Sequence, residues 1–164
     1  KMPELLRGFL TGSRWLAFAI ATTIGAACAG LVALLAPFID QFTLMPLYLA
    51  CLTIPIYAVG QVQAGIGQSC SWPNLALMPF YIWRQIIITV AMGAAYLSGA
   101  PTDAVTAIAI AVGTTWAVTL GQLFMLDRRL KATVPPGPRQ YQPKIWLGTS
   151  LPILMVEFFY LLLT

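Results

Sequence analysis

Between Asp40 and Asp103 lie 62 residues, and only one of them, Arg84, carries a formal charge. Soluble domains carry charge at about a quarter of their positions, and this stretch has no comparable means of facing water. In lipid the backbone must satisfy its own polar groups, which leaves helices or a closed barrel. Barrel walls alternate apolar and polar residues with a period of two, and these runs do not alternate. The rest of the chain agrees. Hydrophobic residues make up 59% of the 164 and charged residues 9%, with a mean hydropathy of +0.82. The sequence reads as an all-α, polytopic transmembrane helix bundle.

A spanning helix needs about 20 predominantly apolar residues. Five runs qualify, at 15–38, 45–66, 75–97, 104–126 and 145–163. Pro37 closes the first, a Gly- and Ser-containing stretch at 65–74 separates the second from the third, and 98–103 separates the third from the fourth. In that last break Thr102 or Asp103 is suited to cap the next helix. Lys1, Arg7 and Arg14 precede the first run, and Arg128, Arg129, Lys131, Arg139 and Lys144 follow the fourth. The breaks at 39–44 and 98–103 hold only Asp40 and Asp103. Because basic residues stay on the cytoplasmic side, the N-terminus and the 127–144 loop are expected in the cytoplasm of a multi-pass inner-membrane protein. Topology and anionic headgroups account for the net charge of +4, so nucleic-acid binding is not implied.

The expected organisation has residues 1–130 as the end of a first helical bundle and 131–144 as a cytoplasmic linker. The linker is stiffened by the Val-Pro-Pro-Gly-Pro run at 134–138. Residues 145–164 would be the first helix of a second bundle. With Lys1 at one end and an apolar run at the other, the sequence reads as a piece of a longer transporter-like chain. It contains no His, and Cys28, Cys51 and Cys70 are scattered. That removes common zinc sites, Ser-His and Cys-His catalysis and haem ligation by His, so no cofactor and no enzymatic activity are expected. The cysteines read as small buried hydrophobes.

Arg84 is the first candidate functional residue. A charge at lipid depth costs about 2.5–3.5 kcal/mol on insertion scales. Counted from Leu75 it lies about 13 Å deep, and Phe80, Tyr81, Ile87 and Ile88 share its helical face at i±3 and i±4. It either snorkels or pairs helices, or it binds an anion in a cavity, where its planar fork suits phosphate. Tyr57, Gln61 and Gln68 form a stripe on the second run, close to Gly60, Ala64 and Gly67, with Gln63 pointing elsewhere. Amides there could meet sugar hydroxyls or bond neighbouring helices. Glu157 is a candidate for binding a coupling cation or carrying a proton. Pro55, Pro79 and Pro152 can hinge their helices. Gly113, Thr114, Thr115 and Thr119 read as a small-residue packing face with no chemistry.

The order of these features resembles a known family. Ile-Pro-Ile-Tyr-Ala-Val-Gly-Gln-Val-Gln-Ala-Gly-Ile-Gly-Gln (54–68) precedes a tight turn and Asn-Leu-Ala-Leu-Met-Pro-Phe-Tyr-Ile-Trp-Arg-Gln (74–85). Asp-Arg-Arg-Leu (127–130) and a basic, Pro-rich loop lead into Trp-Leu-Gly-Thr-Ser-Leu-Pro-Ile-Leu (146–154). The pattern resembles the polysaccharide-export flippases of the multidrug/oligosaccharidyl-lipid/polysaccharide exporter superfamily. The chain would cover their third to seventh helices. Where members often show a Gly-x-Gly-Arg-like turn after the fourth helix, this sequence has Gly65-Ile66-Gly67-Gln68. The resemblance implies translocation of a lipid-linked oligosaccharide by alternating access. Arg84 would meet the pyrophosphate, Gln61, Gln68, Tyr57 and Tyr81 the sugars, and Glu157 a coupling ion.

Three rivals remain. A multidrug exporter of the same superfamily would use carboxylates against cationic drugs, and none lies between Asp40 and Asp103. An intramembrane lipid-phosphate transferase or protease would need clustered acids, a His, or a Ser with a base. A structural membrane subunit would tolerate changes at both Arg84 and Glu157.

Overall fold

The computed structural model describes residues 3–101, 103–133, 146 and 148. Glu157, Pro152, the linker from 134 onward and nearly all of the expected fifth span lie outside the described residues. Helix α1 runs Pro3–Leu35 and tightens into a 3-10 turn at Ala36–Phe38. Helix α2 is Gln41–Ser69. Helix α3 (Pro73–Met78), a wide π-turn (Pro79–Trp83) and helix α4 (Arg84–Leu97) follow one another as a single third span, Pro73–Leu97. Helix α5 is Ala104–Thr133. Among the described residues, four spans are therefore long and apolar enough to cross a membrane, as in a multi-pass membrane protein, and no strand occurs.

The helices outrun the apolar runs in the sequence. The expected break at 65–74 shrinks to three residues, and Gly65-Ile66-Gly67-Gln68 are helical. Helix α2 ends in a Schellman closure. The Trp72 N–H donates to the Gly67 carbonyl (2.9 Å) and the Ser71 N–H to that of Gln68 (3.0 Å). Trp72 then packs on a core of Leu10, Ile66, Leu126 and Leu130. Such a closure needs a left-handed residue. At the end of α4 that residue is Gly99 (φ 73°), but here it is Ser71 (φ 59°). A side chain in that conformation costs about 1 kcal/mol or more. Ser71→Gly should therefore stabilise the protein by about 0.5–1 kcal/mol, glycine's freedom in the unfolded chain offsetting part of the relief. A shift to higher SDS in unfolding from mixed micelles is the expected readout.

Helix α2 is the centre of the bundle. It packs α1 on one side and α5 on the other, with the third span lying across α2 and α5. Lipid is as apolar as leucine, so close contact between small residues holds such helices together. A Cβ added to Gly67 would fall 2.8 Å from that of Ala76, and one on Gly25 would fall 3.2 Å from the Cys51 carbonyl oxygen. That carbonyl is the one freed by Pro55, which has no N–H to donate four residues back. Helices α2 and α5 run parallel. Gly60 lies against Thr119, and Ile66 shares a core with Leu126.

Charge separates to the two ends. Arg14, Arg128, Arg129 and Lys131 gather at one, where Arg14 pairs with Asp127 and Arg129 lies over the Trp72 ring. Asp40 and Asp103 lie at the other. Asp103 caps α5 by accepting from the Thr106 N–H (2.8 Å). The Thr106 hydrogen bonds hold its carboxyl below the usual carboxylate range. The cysteines are free and half-buried, less covered than the sequence reading expects.

Candidate functional site

The site grows from the break in the third span. Pro79 cannot donate to the carbonyl of Leu75, and the turn that follows widens until the Arg84 N–H reaches the carbonyl of Pro79, five residues back. The freed Leu75 carbonyl still has a partner. The Gln122 side-chain amide on α5 donates to it (3.1 Å) and to the Ala76 carbonyl (3.0 Å). A neighbouring helix thus supplies the donor that proline removed.

Two turns further along, the same pair of helices holds Arg84. It is the twelfth of the span's 25 residues, near mid-depth. Its Nε donates to the Thr115 hydroxyl (2.9 Å), which donates in turn to the Ala111 carbonyl (2.7 Å). Ala76 and Gln122 are level through their hydrogen bond. Arg84 lies eight residues, about 12 Å, beyond that level, and Thr115 lies seven, about 10 Å. The guanidinium therefore reaches sideways to α5 rather than down toward the basic end. Among the described residues, neither of its terminal nitrogens has a partner.

Phe80 lies under the guanidinium, 5.4 Å from carbon to ring centroid. Tyr57 meets the Phe80 ring edge-on at 5.0 Å and Tyr81 does so at 5.7 Å. Of the expected site residues, Arg84, Tyr57 and Tyr81 thus converge on one buried ring. Tyr57 also lines an open apolar groove of about 450 Å³ between α1 and α2, with Ile20, Ile24 and Ile54.

Gln61 and Gln68 do not join this group. Both are exposed on α2, while Gln63, expected to point elsewhere, is fully buried. The packed face of α2 is the one that carries Gly60, Gln63 and Gly67, three and four residues apart. On α5 the expected packing face is polar and in contact with the site. Thr115, Thr119 and Gln122 are each no more than 1% exposed. Among the described residues, several of their atoms, with those of Gln63, lack hydrogen-bond partners: both amide atoms of Gln63, Oγ1 of Thr119 and Oε1 of Gln122. A buried polar group left unpaired costs about 1–3 kcal/mol, so this cluster is held at a real cost in stability.

No protein-family model, curated protein or solved structure matches the chain.

Proposed function

We propose that the chain belongs to a flippase that moves a lipid-linked oligosaccharide across the cytoplasmic membrane for surface polysaccharide biosynthesis, by alternating access. The observation that carries this reading is Arg84, a mid-depth cation whose Nε is fixed on Thr115 while its two terminal nitrogens have no partner among the described residues. Two parallel donors on a planar fork match a diphosphate oxygen pair. The other polar groups in the interior of the described spans are amides, hydroxyls and the Trp116 indole N–H, which suit an anionic, hydroxyl-rich cargo better than a cationic drug.

On this reading the basic end faces the cytoplasm and Tyr57 and Tyr81 flank the diphosphate. The apolar groove beside Tyr57 takes the first part of the lipid chain. Gln61 and Gln68 are open to sugars from the side where a second bundle is expected, and Glu157 is the candidate coupling group. The test is reconstitution of the full chain in vesicles with a fluorescent polyprenyl-diphosphate-linked sugar. The headgroup in the inner leaflet should become accessible to an external quencher in protein-containing vesicles alone. Expulsion of a cationic dye with no movement of the lipid-linked sugar would establish the drug exporter instead.

A further inference from the structure

We infer that Gln63, Thr119 and Gln122 form a second binding patch beside Arg84, closed in this structure, that receives the hydroxyl groups of a sugar. The inference rests on the flippase reading and extends it to side chains to which the sequence alone assigns no chemistry.

The patch begins with unmade bonds. Side chains that join membrane helices do so through hydrogen bonds that are formed, but here four buried atoms on three residues have no partner among the described residues. The contrast is sharpest for the threonines. Thr22, Thr23, Thr53, Thr89 and Thr115 each return their hydroxyl to the carbonyl four residues back. Thr119 is 1% exposed and makes no such bond.

The chemistry of the free atoms selects the ligand. Gln63 offers an NH₂ and a carbonyl oxygen, Gln122 a carbonyl oxygen, and Thr119 a hydroxyl. An anion would face two amide oxygens, and a cation would face the Gln63 NH₂. A sugar hydroxyl both donates and accepts, so it can use all of them.

Geometry fixes where this ligand would sit. Gly60 packs on Thr119 in the parallel pair α2 and α5, so Gln63, three residues on, comes level with Gln122. That level is about 10 Å along α5 from Thr115, which holds the Arg84 guanidinium. A diphosphate on Arg84 followed by a sugar ring at the amides is the order of parts in a glycosyl diphosphate. Access is shut by the third span. Phe80 and Ala76 are buried against the patch, and the Gln122 NH₂ is tied to the Leu75 and Ala76 carbonyls. The wide turn at Pro79–Trp83 is where the span can bend to uncover it.

The test compares two soluble probes, farnesyl diphosphate and its glucosyl ester, binding to the purified full chain in lipid nanodiscs by microscale thermophoresis. The wild type should prefer the glucosylated probe by about tenfold. Gln63→Leu, close in volume and free of unpaired polar atoms, and Thr119→Val should each bring that ratio close to one, with folding checked by helical circular dichroism and gel filtration. Arg84→Gln should weaken both probes. A preference that survives both Gln63→Leu and Thr119→Val overturns the inference, as does a wild type that binds both probes equally, and either result leaves the flippase reading standing. A wild type that binds neither probe overturns the flippase reading itself.

Discussion

Arg84→Gln should lower transport of a polyprenyl-diphosphate-linked sugar by at least about tenfold, in a full chain inserted at the wild-type level. The magnitude follows from the bond type. A hydrogen bond to a charged group contributes about 1.5–3 kcal/mol, and each 1.4 kcal/mol is about tenfold in affinity. Glutamine removes the charge and the planar fork together. Arg84→Lys keeps the charge but not the fork, so it should recover only part of the loss. Thr115 acts through Arg84. Its hydroxyl is committed to the Ala111 carbonyl at 2.7 Å, which aims a lone pair at the Arg84 Nε. Thr115→Val should therefore raise the KM for the lipid-linked sugar several-fold with little change in maximal rate, because the guanidinium is present but no longer held. Initial rates of headgroup quenching against substrate density in vesicles would separate these variants. Wild-type transport by Arg84→Gln would show that the guanidinium only pairs helices.

The positions of the four described spans are legible because hydropathy alone dictates them, and the N-cap at Asp103 because its chemistry is local. Arg84 was legible as the one charge in a long uncharged stretch. The partner of Arg84 was not, since nothing in the spacing of α5 distinguishes a packing threonine from one that holds a guanidinium. The sequence stripe on α2 runs through Tyr57, Gln61 and Gln68, of which Tyr57 reaches the Phe80 ring while both glutamines face outward. Apolar patterning gives no inside in a membrane helix, where lipid and protein interior are equally oily. The signal that does mark the inside is small-residue spacing. Gly60 and Gly67 define the packed face, and Gln63 stands three residues after one and four before the other. Likewise Thr115, Thr119, Gln122 and Leu126 follow one another at four, three and four residues on α5. The wide turn before Arg84 has no sequence signature beyond Pro79, which predicts a hinge but not its form.

That hinge yields a second large effect, with a rescue built in. Gln122→Leu should destabilise the bundle by about 2 kcal/mol, since the Leu75 and Ala76 carbonyls both lose the Gln122 amide as a donor. Interhelical hydrogen bonds in membranes average only about 0.6 kcal/mol, because a freed group usually finds another partner. The Leu75 carbonyl is denied that escape. Its natural donor is the N–H of residue 79, which proline lacks. Pro79→Ala restores that N–H and lets the turn narrow toward an ordinary helix. The Gln122→Leu penalty should accordingly shrink by about half or more in a Pro79→Ala background, a coupling that a double-mutant cycle on SDS-induced unfolding would measure. Additive losses would mean that the amide stabilises α5 by some route other than the Leu75 carbonyl. The cycle also bears on movement of the third span. If the Pro79 break exists so that α3 can leave α5, then Pro79→Ala should stabilise the fold while slowing transport. A helix that is merely kinked would gain stability without that loss.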